Sequence, residues 1–284
     1  MSYADKAFVE IVTDILDHGE LYPCERGLDE NGKMVYAKWE DGSPAMAKGL
    51  FCVIKRYDLQ KEFPMITLRP VAIKTAINEI LWIWQKKSNN IKDLDGHIWD
   101  SWADENGSIG KAYGYQLGVK HQYKEGMFDQ VDRLLFDLKT SPHNRRMITS
   151  LFNHADLHEM GLYPCAYGTE WNVKNGKLNM VLNQRSQDML AAFGMNVAQY
   201  AILQHMVAIS SGLEVGEFVH KITDCHIYDR HIDTIKELIA RPQYPAPKLI
   251  INPEVKNFYD FKVEDFTFEG YIKGDKIENI PVAV

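Results

Sequence analysis

Two stretches of the chain are helical in spacing yet apolar almost all the way round. One is RPVAIKTAINEILWIWQ, from Arg69 to Gln85, and the other is MNVAQYAILQHMVAISSG, from Met195 to Gly212. A helix with one apolar stripe can lie on a surface, whereas a helix apolar on every side has to be enclosed. Two such helices in 284 residues demand one large core with other elements wrapped around it. Pro70 suits the first turn of the earlier helix, and Gly212 stops the later one. Tyr3 to His18 adds an amphipathic helix with Phe8, Ile11, Val12 and Ile15 on one face. DQVDRLLFDLKTSP reads as a surface helix ending before Pro142, and HIDTIKELIARPQ as a second amphipathic helix. LFCVIKRYDL, RRMITSLFN, TEWNVKNGKLNMVLNQRS and EFVHKITDCHIY read as strands, with an Asn-Gly hairpin signal at Asn175-Gly176. VEDFTFEGYIKG alternates like a further strand. Tyr22 to Lys48 reads as a loop long enough to be functional or mobile. Helices and strands mix without a βαβ rhythm. The expectation is an α+β single domain over residues 1–284, a mixed β-sheet flanked by helices.

The formal charge is −7, so any anion site must be a local cluster of Arg or Lys and not a global field. No apolar run reaches the ~18 residues a membrane span needs. The first residues carry acids and no signal-peptide pattern, so a cytoplasmic protein is expected. GxGxxG and GK[ST] phosphate loops are missing, which disfavours nucleotide cofactors of those types. Cys24, Cys52, Cys165 and Cys225 are scattered and form no CxxC pair. They predict neither a disulfide framework nor a metal site, and each reads by default as a small buried hydrophobe.

Several residues have two readings. Cys165 follows a proline and precedes a strand, so it is a nucleophile if a cation lowers its pKa, and core packing on position alone. Arg145 and Arg146 are a pair that could grip a phosphate or simply be solvated. Arg185 and Ser186 sit where strand alternation ends in a polar cluster that could hold an anion. Glu79 lies in the first apolar helix, and spacing alone favours a narrow solvent-facing stripe. Asn196 opens the second apolar helix and reads as an N-cap or as an amide aimed at a ligand edge. His226 and Tyr228 share one face of a strand. Trp99, Trp102 and Tyr113 crowd beside glycines, as a wall for a flat ligand or as a packed subdomain.

Taken together, order and spacing decide more. Pro164-Cys165 is followed after twenty residues by Arg185-Ser186-Gln187-Asp188, after eleven more by Asn196, and after thirty more by His226-Ile227-Tyr228. With RRM, NEILWIWQ, HIWDSWADENGSIGKAYG and the terminal PVAV, the chain resembles the thymidylate synthases over nearly its whole length. The resemblance implies conversion of dUMP to dTMP with 5,10-methylenetetrahydrofolate and no metal. Hydroxymethylation of dUMP or dCMP is the alternative. It implies Cys165 as the nucleophile on uracil C6, with the Arg185 guanidinium favouring its thiolate. Asn196 would read the base, Glu79 would act through water, and Tyr113 would stand near the C5 proton. Arg185, Ser186, and Arg145 and Arg146 of a partner subunit would hold the phosphate, and His226 and Tyr228 the sugar hydroxyl. Trp99 and Asp188 would hold the folate, and Val284 would close the site. It also implies a homodimer through the sheet face, with RNA binding at most a weak side activity. Departures are Tyr36 where the family's mobile loop carries an Arg, Ala192 for a Gly, Gly194 for a Pro, and Ala166 for a His. Lys38 and Arg26 are the nearby cations that would have to stand in for the loop Arg.

Overall fold

The computed structural model describes residues 1–283. Its elements run α1 (Tyr3–His18), β1 (Glu20–Pro23), β2 (Glu25–Leu28), β3 (Met34–Tyr36), β4 (Met46–Asp58) and α2 (Ile73–Trp84). Then come α3 (Gly114–Gly118), β5 (His121–Tyr123), β6 (Gly126–Phe128), α4 (Gln130–Thr140), β7 (Ile148–Ser150), β8 (Ala166–Lys174) and β9 (Lys177–Asp188). The chain ends with α5 (Phe193–Ser210), β10 (Glu214–Tyr228), α6 (Ile232–Ile239), β11 (Lys248–Ile251) and β12 (Phe266–Glu269).

Six strands form the main sheet in the order β1-β4-β10-β9-β8-β7. Only β9 and β10 run parallel, joined across the sheet by α5; the other pairs are antiparallel. The β8–β9 hairpin turns at Asn175 (φ 51) and Gly176 (φ 74), the paired positive φ that a type I′ turn requires. The helix α5 has 14 buried residues out of 18 and lies between the sheet and α2, which is why it can be apolar on all sides. Gly194 in its first turn is pressed against α2's approach: a Cβ there would come within 2.5 Å of Ile66 Cδ1. The main core is one cluster reaching from Ala4 in α1 to Phe266 in β12.

Four sequence expectations change. The helix α2 begins at Ile73, with Ala72 as N-cap, so Pro70 lies outside it. The stretch Tyr22 to Lys48 is not one loop. It holds the end of the edge strand β1, the β2–β3 hairpin and the start of β4, and Ala37, Trp39 and Ala45 pack with Ala283 in a small second core. RRMITSLFN yields only the three residues of β7, leaving Arg145 and Arg146 in the preceding connection. Of the cysteines only Cys225 is buried; Cys52 is exposed and takes φ 58 in the middle of β4. Phe51 next to it is 85% exposed and Ile54 51% exposed.

Among the described residues no helix is long and apolar enough to cross a membrane, and no cluster of three His, Cys, Asp or Glu could hold a metal.

Candidate active site

Cys165 stands at the start of β8, where a bulge between Ala166 and Gly168 interrupts pairing with β9. Bulges of this kind re-aim side chains at strand ends. The neighbouring strand fixes the residue: Arg185 N donates to Cys165 O at 2.8 Å. The Arg185 guanidinium is clamped by the carbonyls of Tyr163 (2.8 Å) and Pro164 (3.1 Å), which hold it 3.8 Å from the Cys165 sulfur. Burial pushes the Cys165 thiol up; Arg185 and then Arg26 pull it down without overcoming burial. The expected thiolate-favouring effect of Arg185 is therefore present but outweighed in the isolated chain.

The sulfur lines a cavity of about 200 Å³ together with Glu79, Trp99, Trp102, Tyr113, Asn196 and Gln199, among others. Tyr113 is held at φ 45, a conformation non-glycine residues take only under constraint. Its hydroxyl accepts from Cys165 N at 3.1 Å, and its ring meets Trp99 edge-on at 4.9 Å. Glu79 is 8% exposed, so the solvent-facing reading is overturned. The carboxylate accepts from Trp99 Nε1 (2.6 Å) and Gln199 Nε2 (2.7 Å), and burial raises its pKa against both hydrogen bonds. Asn196 is not an N-cap, since α5 starts at Phe193. Its side-chain amide has no hydrogen-bond partner among the described residues, so donor and acceptor are both free for a ligand edge.

The second half of the site lies along the parallel β9–β10 register, which sets Ser186 beside Asp224 and Asp188 beside His226. His226 and Tyr228 do share a face, their rings 5.1 Å apart and perpendicular. Cys165 and Asp188 both lie near enough to Tyr228 to help raise its hydroxyl pKa, though burial is the main cause. Burial would also raise Asp188, but His231, the Ala191 amide and His226 bring it below the ordinary carboxylate range. Its Oδ1 accepts from Leu190 N (2.9 Å) and Ala191 N (3.0 Å), and its Oδ2 has no partner among the described residues. Arg145 and Arg146 are exposed, make no ion pair among the described residues, and do not line the Cys165 cavity. Val284 lies outside the described residues.

The segment before it is gripped by its main chain. Gly274 N donates to Thr67 O (2.8 Å), Arg241 Nη1 to Asp275 O (2.7 Å), and Arg26 Nη2 to Ala283 O (3.4 Å). His231 Nε2 lies 2.8 Å from Pro281 O. The hairpin thus brings Arg26, not Lys38, to the tail and into electrostatic reach of Cys165.

Sequence reasoning missed Gln199, Tyr22 and Asp224. Gln199 had a findable signal, because it lies three residues after Asn196 and therefore on the same helix face. Tyr22 had none, being 202 residues from the aspartate it bonds.

The sequence pattern described as thymidylate synthase matches residues 6–284. The chain belongs to the thymidylate synthase family. It is 45% identical to thymidylate synthase 1 of Bacillus subtilis (strain 168) over 282 residues, 98% of each chain. It is 46% identical to the thymidylate synthase of Bacillus licheniformis over the same length and coverage. The solved thermostable thymidylate synthase A from Bacillus subtilis superposes with TM-score 0.90 at 45% identity, covering 99% of both chains. The α+β fold expected from the sequence is the fold of this family member.

Proposed function

We propose that the chain converts dUMP to dTMP, with 5,10-methylenetetrahydrofolate as cosubstrate. The observation that carries this reading is one cavity holding a thiol, an unpartnered amide and a buried carboxyl, walled by indole rings. The Cys165 sulfur, as thiolate, bonds to C6 of the uracil ring. That turns C5, unreactive in uracil itself, into an enolate-like nucleophile. Asn196 accepts from N3–H and donates to O4 of the uracil edge; a cytosine edge presents the reverse pattern and would need the amide turned over. Glu79 exchanges protons with O4 through water, and its raised pKa suits that task. Tyr113 positions water near the C5 proton. Arg185 and Ser186 hold the phosphate, and His226 and Tyr228 hold the 3′-hydroxyl.

A folate fits the remaining groups: the Asp188 carboxylate is kept ionised with one oxygen free for a pterin's amino donors, and Trp99 and Trp102 offer ring faces. When bound, the folate supplies the one-carbon unit and the hydride. Trp99 and the closing tail, with Val284, exclude water. A second copy supplies Arg145 and Arg146 to the phosphate and covers exposed Phe51 and Ile54, giving a homodimer through the sheet face. The relatives named above are all thymidylate synthases, so hydroxymethylation has no support among them. A cytoplasmic location accords with this reading.

Incubation with dUMP and 5,10-methylenetetrahydrofolate, followed by mass measurement of the nucleotide, tests it. The expected product is dTMP, with turnover lost by at least about 10⁴-fold in Cys165→Ser. A hydroxymethyl nucleotide, or no turnover by the intact chain, overturns it.

A further inference from the structure

Tyr22 on the edge strand β1 reaches across β4 to β10. In register, Glu20 pairs with Gly49 and Tyr22 with Ala47; on the other side Gly49 pairs with His226 and Ala47 with Tyr228. The strand between them therefore offers only a methyl group and a hydrogen where the phenol crosses. A Cβ on Gly49 would lie 2.7 Å from the Tyr22 hydroxyl and 3.1 Å from His226 Cβ, so any larger residue there would displace the phenol from its crossing. The hydroxyl arrives 2.9 Å from Asp224 Oδ1 and 2.8 Å from Oδ2. His226 Nδ1 lies 2.6 Å from Asp224 Oδ1.

The protons in this chain are set by chemistry. Burial would raise Asp224, but His226 and then Tyr22 hold it below the ordinary range, so it is a carboxylate and can only accept. Burial and that carboxylate raise Tyr22, so the phenol keeps its proton and donates. His226 Nδ1 must then carry a hydrogen. In the neutral ring the other nitrogen, Nε2, is left as an acceptor. Without the phenol, Asp224 could rotate away and either tautomer would form.

We propose that Tyr22 is a positioning residue for the nucleotide sugar: acting through Asp224, it fixes His226 with Nε2 as acceptor, so that the site selects a sugar whose 3′-oxygen carries a hydrogen to donate. The proposal rests on the reading that His226 meets the 3′-hydroxyl. It makes the site selective for a free mononucleotide over one that is 3′-blocked or 3′-deoxy. It also assigns a role to an edge strand that contributes no side chain to the cavity around Cys165.

Long-range ¹H–¹⁵N spectra of protein labelled at histidine test the tautomer directly, with His226 assigned by its loss in His226→Gln. The intact protein should show hydrogen on Nδ1 of His226, and Tyr22→Phe should show a mixture. In Tyr22→Phe the KM for dUMP should rise roughly 3- to 10-fold with kcat nearly unchanged, and the preference for dUMP over its 3′-deoxy analogue should fall by a similar factor. Two results overturn the proposal: hydrogen on Nε2 in the intact protein, or a Tyr22→Phe variant with the same His226 shifts and the same preference. The first needs no variant to fold and no turnover. If the intact chain fails to convert dUMP, the functional reading falls while the spectra still decide the role of Tyr22.

Discussion

Glu79 is a carboxyl in a place built for a neutral side chain. Two donors, from Trp99 and Gln199, hold it, yet burial still raises its pKa. The native state therefore binds this proton more tightly than the unfolded chain does, whose value is near 4.5. Stability from this group is fully present below pH 4.5 and falls as pH rises toward the folded pKa. Glu79→Gln should melt higher than the parent at neutral pH, with the gain vanishing toward pH 4.5. The same variant should lose turnover by about 10²-fold or more, because an amide cannot exchange the proton. Calorimetry across pH and a turnover assay check the two halves. A Glu79→Gln that is both fully active and less stable at pH 7 would contradict the role given to this carboxyl.

Among the elements, α5 links the site to the core. Its first turn presents Asn196, and its packing depends on Gly194 staying bare against Ile66 and Val71. Alanine there gains up to about 1 kcal/mol in helix propensity but forces a buried contact costing about 1–3 kcal/mol. Gly194→Ala should therefore destabilise by about 1 kcal/mol net in a urea titration. The helices α2 and α5 were legible because being apolar all round leaves enclosure as the only outcome. The β2–β3 hairpin was not, because its strands are only four and three residues long, mostly exposed, and show no alternation of buried and exposed side chains to read. Glu79 was misread for another reason: its partner Gln199 is 120 residues away, and spacing within one helix says nothing about it. Asn196 reads alike as cap or ligand amide, since both call for a small polar group near a helix start. The grouping of Cys165, Arg185, Asn196 and His226 was legible only through the family resemblance, since each residue taken singly also reads as ordinary packing, capping or surface charge.

For the molecule as a whole, the exposed sheet face and the acid response are the testable properties. Phe51 is too exposed for a side chain of its size, and covering two copies of it contributes ~1.5 kcal/mol or more apiece. Phe51→Glu should weaken self-association by roughly 100-fold in sedimentation, and turnover should fall with it if Arg145 and Arg146 serve the partner's site. His220 is fully buried and burial lowers its pKa from 6.5 to about 3. Here the unfolded chain binds the proton first, so stability is present above pH 6.5 and is lost as pH falls toward 3, on the order of 5 kcal/mol in total. His220→Asn should flatten the fall in urea midpoint between pH 6.5 and 4. The grips on the last residues have their own consequence. Thr67, Arg241, His231 and Arg26 all meet backbone atoms of that segment. Between its anchors it is measured like a ruler, by count more than by lettering: exchanging exposed Glu278 leaves every notch in place, while deleting one residue between Asp275 and Pro281 shifts the scale past its marks.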